Sequence, residues 1–131
     1  MSSRLKWLPQ LGLGNATLDA QHRALLDQCE ALAGCVAEAN DARFDEVLRG
    51  LMTLAREHFD AEEALLGRAG YPEMEALRNE REEFEYLAAE IITTENFDRQ
   101  ELETFLSLWW SGHILGSVGK QRTFLERLPA A

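Results

Sequence analysis

Proline, cysteine and histidine are all scarce in this chain of 131 residues, and each scarcity excludes something. The three prolines stand at positions 9, 72 and 129, so long stretches run free of the residue that most disrupts helices. Two cysteines, Cys29 and Cys35, occur with no CxxC motif. Six positions apart on a helix they face different directions, which excludes a local disulfide and points to small thiols in a reducing compartment. No uncharged apolar run is long enough to span a bilayer. Basic residues are outnumbered, 13 Lys and Arg against 23 Asp and Glu, for a formal charge of −10. That balance argues against duplex nucleic acid or an anionic membrane as partner, since both want a basic face. Met1 to Trp7 carries two basic residues with no apolar run behind them, so no signal peptide is expected and the expected compartment is the cytoplasm.

What is present reads as helix. Hydrophobic residues make up 46% of the chain, enough to bury one real core and to exclude global disorder. After an irregular N-terminal arm over 1–16, apolar residues recur at three- and four-residue steps in four segments, about 17–38, 41–66, 72–93 and 98–127. The first carries Leu18, His22, Leu25, Cys29, Leu32 and Val36, with Thr17 as its expected cap. The second carries Phe44, Leu48, Leu51, Ala55, His58, Glu62 and Leu65, and Gly67 and Gly70 close it. Pro72 is placed to open the third, whose line runs Met74, Leu77, Arg81, Phe84, Ala88 and Ile91. Asp98 and Glu101 are spaced as a capping-box analogue before the fourth, with Leu102, Phe105, Leu106, Trp109, His113, Phe124 and Leu128. Four amphipathic helices joined by short turns predict an all-α, up-down-up-down antiparallel four-helix bundle in a single domain over 1–131. Gly112, Gly116 and Gly119 interrupt the fourth segment, where each costs about 1 kcal/mol relative to alanine. They signal either a close helix approach or a locally loose helix.

The polar residues on the interior lines carry the chemistry. The chain has only three histidines, His22, His58 and His113, and each falls on the core-facing line of a different helix. Glu62 follows His58 by one turn and projects from the same face. A single interior histidine is ordinarily a hydrogen-bonded core residue, and a single His-x3-Glu pair is ordinarily a surface pair. All three histidines aligning with one interior carboxylate is a different pattern, because a buried carboxylate needs a cation, donors or a raised pKa. Histidines and a carboxylate converging inside a bundle are the ingredients of a non-haem metal site.

Three segments resemble the hemerythrin family of non-haem di-iron proteins, in its bacterial single-domain form. LGLGNATLDAQHRALL is similar to the family's first-helix entry, and it contains His22. HFDAEEALLGRAGYP is similar to the second-helix signature, with His58, Glu62, Glu63, Tyr71 and Pro72. WWSGHI is similar to the fourth-helix signature, with His113. The resemblance spans almost the whole chain and implies metal ligation by His22, His58, Glu62 and His113. It also implies two further histidines on the third helix and an aspartate on the fourth. Those positions fall at Leu77, Arg81 and Val118, so three ligands of the family's set are missing. His22, His58 and Glu62 then form a two-histidine, one-carboxylate site with open positions, to which His113 adds a fourth ligand.

Arg81 has two readings on an otherwise apolar line. Its guanidinium replaces the absent metal charge beside Glu62, or its long stem carries the charge to the surface. Glu63 is read as an outer partner of the site or a surface residue, and Trp109 and Trp110 as bundle packing, with one of them free to line a pocket. The functional expectation is a metal protein with iron as cofactor, one ion rather than two, zinc or no metal being the alternatives. It would bind or sense dioxygen, nitric oxide or a related small ligand and pass the signal to a separate protein. The competing readings are a metal-free interaction module in which Arg81 takes the metal's part, and a small oxidase- or peroxidase-like enzyme. The last ranks lowest, because no further acid–base or substrate-binding constellation is present, and the chain is expected not to be an enzyme.

Overall fold

A computed structural model describes residues 5–128; residues 1–4 of the arm and 129–131 at the other end lie outside them. The elements are α1 (Ala16–Ala37), α2 (Asp41–Ala69), α3 (Met74–Ile92) and α4 (Arg99–Gly112). A π-helical turn, His113–Ser117, runs from α4 into α5 (Val118–Glu126), so the predicted fourth helix is one rod with a wide turn in it. α1 packs on α2 and α4, and α3 packs on the same two helices from the other side. The described residues contain helices and no strand, as the periodicity predicts.

Contacts along the rods give their directions. Phe59 meets Phe84, and Leu66 clusters with Leu77, so α2 and α3 run opposite ways. Phe84 also meets Phe105 and Trp109, whereas Glu80 reaches Ser117, so α3 and α4 are opposed too. His22 lies as far before the α1–α2 turn as His58 lies after it, and the two rings meet. Phe44, Leu51, Phe84, Leu102, Leu106 and Trp110 form the centre of the main core, with no exposure to solvent. Burying side chains of this size is the dominant favourable term for the bundle, roughly 2 kcal/mol for each one.

The helix ends differ from expectation in three places. Asn15, not Thr17, caps α1: its side-chain oxygen accepts from the Leu18 amide at 3.0 Å. Asp19 in the first turn accepts from the Leu13 and Gly14 amides, which fastens the arm to the helix. The second departure is at Pro72, which sits in a turn, with α3 starting at Met74. Leu128, placed on the interior line from sequence, is 40% exposed beyond the last helix. Within the arm, Trp7 packs against the core with the Arg23 guanidinium over its ring, and Arg122 donates to the Gln10 carbonyl. Both cysteines are buried in the main core, and neither is in a disulfide. Among the described residues, no helix is long and apolar enough to cross a membrane.

Two helices end in the same hydrogen-bond pattern with different residues. At the end of α2, the Tyr71 amide donates to Leu66 and the Gly70 amide to Gly67, with Gly70 left-handed at φ +79°. At the end of α1, the Asn40 amide donates to Cys35 and the Ala39 amide to Val36, and Ala39 takes the left-handed position at φ +54°. An L-residue pays about 1–2 kcal/mol for that conformation, and glycine does not. Ala39→Gly is therefore expected to stabilise the protein and Gly70→Ala to destabilise it, each by about 1 kcal/mol in urea unfolding at constant m-value. Equal and same-signed effects would contradict this account of the two turns.

Candidate metal centre

The site is assembled by α1, α2 and the π turn. His22 comes from the second turn of α1, His58 and Glu62 from successive turns of α2, and His113 opens the π turn. All four side chains are buried, and one ligand atom from each lies within 4.8 Å of all the others. Glu62 Oε2 is the focus. His113 Nε2 stands 2.9 Å from it, His58 Nε2 3.1 Å and His22 Nε2 3.9 Å. The His22 and His58 Nε2 atoms are themselves 3.0 Å apart. The four residues expected from sequence are thus brought together at one point.

Sequence reasoning did not single out the residues behind two of the rings. His58 Nδ1 faces Gln21 Oε1 at 3.0 Å, and His113 Nδ1 faces Glu80 Oε1 at 3.4 Å. The Ser117 hydroxyl donates to the Glu80 carboxylate, 2.6 Å from each oxygen. A carboxylate or an amide oxygen only accepts, so each Nδ1 carries a proton. A neutral ring protonated at Nδ1 turns a lone pair at Nε2 toward Glu62 Oε2, which is also an acceptor. Only a proton or a metal ion between them resolves that meeting.

Electrostatics follow the same geometry in the metal-free protein. Burial opposes charge on His113, but the Glu62 and Glu80 carboxylates outweigh it and raise the group to about 9. Burial would likewise raise Glu62, yet the charge and hydrogen bond of His113 hold it below the usual carboxylate range. His22 goes the other way, to about 3, through burial and then the neighbouring His58 and His113 charges. Burial also lowers His58. One proton therefore bridges His113 and Glu62, while His22 and His58 stay neutral and the His58 Nε2 lone pair is left against Glu62 Oε2.

These groups fit a bound metal. Glu62 Oε1 and His22 Nδ1 are buried with no hydrogen-bond partner, an arrangement costly for a site whose only business is hydrogen bonding. Three imidazole nitrogens and one carboxylate oxygen suit a first-row divalent ion such as iron or zinc. Aromatic rings enclose the site. Trp109 lies parallel to His113 with centroids 5.3 Å apart, and Trp110 meets His58 and His113 edge-on at 5.7 and 5.5 Å. Both tryptophans line the site as well as packing the bundle.

Arg81 follows the second of its two readings. It does not reach Glu62; its guanidinium bonds Asp60 at 3.0 Å and Glu63, with Glu85 at 3.5 Å, and lies over the Phe59 ring. The long stem takes the charge to a rim of carboxylates, which costs less than dehydrating it beside Glu62. Glu63 is accordingly a partner of Arg81 and Arg78 at the rim, not of the buried cluster. Leu77 and Val118 are buried in small apolar clusters, Leu77 with Leu66 and Tyr71, Val118 with Leu13 and Leu18. The glycines do not mark close helix contact either: a Cβ on Gly112 or Gly116 would meet nothing within 4 Å. They border and occupy the π turn, a feature that recurs at functional sites.

A buried histidine–carboxylate cluster inside a helical bundle defines a class of non-haem metal proteins. The family model "Hemerythrin HHE cation binding domain" matches residues 13–117, and the chain belongs to the hemerythrin family. A bacteriohemerythrin of Stenotrophomonas maltophilia is 30% identical over 115 residues, covering 86% of this chain and 75% of the relative. A bacteriohemerythrin of Ralstonia nicotianae is 31% identical over 87 residues, covering 66% of this chain and 61% of the relative. No solved structure matches.

The pH dependence of the chelated, metal-free protein follows from these shifts. His113, raised from 6.5 to about 9, contributes stability that is full below 6.5 and lost as pH rises to 9. His22, lowered from 6.5 to about 3, refuses a proton that the unfolded chain accepts, so stability also falls as pH drops below 6.5. Urea midpoints across pH should peak near 6.5, and His113→Gln should flatten the alkaline side alone. A midpoint still falling between pH 6.5 and 9 in that variant would contradict the assignment.

Proposed function

We propose that this chain binds one metal ion, iron, through His22, His58, Glu62 and His113, and that the loaded site binds or senses dioxygen, nitric oxide or another ligand of that size. The observation that carries the reading is the convergence of three Nε2 atoms on one buried carboxylate oxygen. Family membership supports iron as the metal. A single ion is supported by Leu77 and Val118, apolar side chains where the resemblance calls for further ligands. When bound, the ion supplies Lewis acidity, a redox couple and a coordination position for the small ligand.

The protein's part is binding, orientation and exclusion of water. Gln21 and Glu80 turn the Nε2 edges of His58 and His113 inward, so two ligands are aimed before any ion arrives. Glu62 supplies the negative charge that favours a cation in a buried place. Trp109, Trp110 and Phe59 close the space around the rings. The reading assigns ligand binding rather than catalysis, with output through a separate signalling protein in the cytoplasm.

Untagged protein loaded with ferrous iron without oxygen should hold about one ion per chain by elemental analysis. Zinc added to the chelated protein near neutral pH should release about one proton per ion, because the ion takes the place of the proton between His113 and Glu62. Two ions per chain would overturn the single-ion reading. No metal, with melting unchanged by chelator, would assign the cluster to a metal-free hydrogen-bonded network instead.

A further inference from the structure

The four candidate ligands are not braced alike. His58 is held from behind by Gln21 at 3.0 Å, and His113 by Glu80, itself pinned by the Ser117 hydroxyl. His22 has no such support: its Nδ1 is buried without a hydrogen-bond partner. It is also the outlier by distance, 3.9 Å from Glu62 Oε2 against 3.1 Å for His58 and 2.9 Å for His113. A ligating histidine whose second nitrogen is anchored has its tautomer and ring orientation fixed, and the anchor raises its basicity. If His22 ligates through Nε2, it buries an Nδ1–H with no acceptor, a cost the other two rings do not bear. Its bond to a metal would therefore be the weakest of the three.

We propose that His58, Glu62 and His113 form a braced three-ligand core, and that His22 is an exchangeable fourth ligand whose position passes to a small nitrogen-donor or anionic molecule. The inference rests on the metal-binding reading above. Gln21 and Glu80 are positioning residues in it: they touch no metal and act through the rings they hold. Exchange at His22 costs little because the ring gives up one weak bond, while the braced core keeps the ion in place.

The test uses cobalt(II) in the full chain, with visible absorption to follow coordination and chelator competition to follow affinity. His22→Ala should keep cobalt with a loss of less than about tenfold, while His58→Ala and His113→Ala should each lose well over that. Gln21→Leu and Glu80→Leu should cost about 10–100-fold, restored by Gln21→Glu and Glu80→Gln, which keep an acceptor. A merely structural role for Gln21 or Glu80 would not be rescued in this way. Imidazole or azide added to cobalt-loaded His22→Ala should shift its absorption bands saturably. The wild-type protein supplies an arm that depends on no variant folding: azide should remove one paramagnetically shifted imidazole N–H resonance and leave the others. A loss in His22→Ala as large as in His58→Ala, or an azide effect on all the imidazole resonances together, would overturn the proposal. Wild-type protein that takes up no cobalt would instead defeat the metal-binding reading on which it stands.

Discussion

Glu62 Oε2 is an acceptor-only atom sealed inside a helical bundle and faced by three imidazole nitrogens. Left as a bare carboxylate in that place, it would be among the most expensive groups a protein of this size can hold. Something positive has to meet it. In the metal-free chain that is a proton held between Glu62 and His113, and in the reading developed here it is a metal ion. The rest of the site is arranged around this requirement: acceptors stand behind two of the rings, aromatic faces close the sides, and the Arg81 guanidinium is kept away at the rim.

The bundle's job is to deliver those side chains to one point. α1 and α2 meet at His22 and His58 because a short turn folds one helix back along the other. α4 brings Trp109 and Trp110 to the rings, and the π turn presents His113 and Ser117 together to Glu80 on α3. A wide turn in the middle of a helix gives up backbone regularity, and the glycines there serve no close helix contact.

Most of the fold and the convergence of the four candidate ligands on the core were legible in the sequence because they depend on periodicity. A residue's place on a helical line fixes whether it faces the core, and His22, His58, Glu62 and His113 all lie on such lines. The supports were not legible. Gln21 is next to His22 and so points elsewhere on α1, and only the packing of α2 brings His58 to it. Glu80 sits at the edge of the α3 interior face, and its partner Ser117 is distant in sequence. Arg81 was ambiguous for a related reason: its stem is long enough to lie on an apolar line while its charge leaves for Asp60, Glu63 and Glu85.

The central claim, one ion gathered by three imidazoles and a carboxylate, is tested most directly by X-ray absorption at the metal edge of the loaded protein. The account predicts a first shell of nitrogen and oxygen, the multiple-scattering pattern of imidazoles, and no metal neighbour at the distance of about 3.5–4 Å typical of two-metal centres. A metal–metal shell, or a first shell without imidazole, would contradict it.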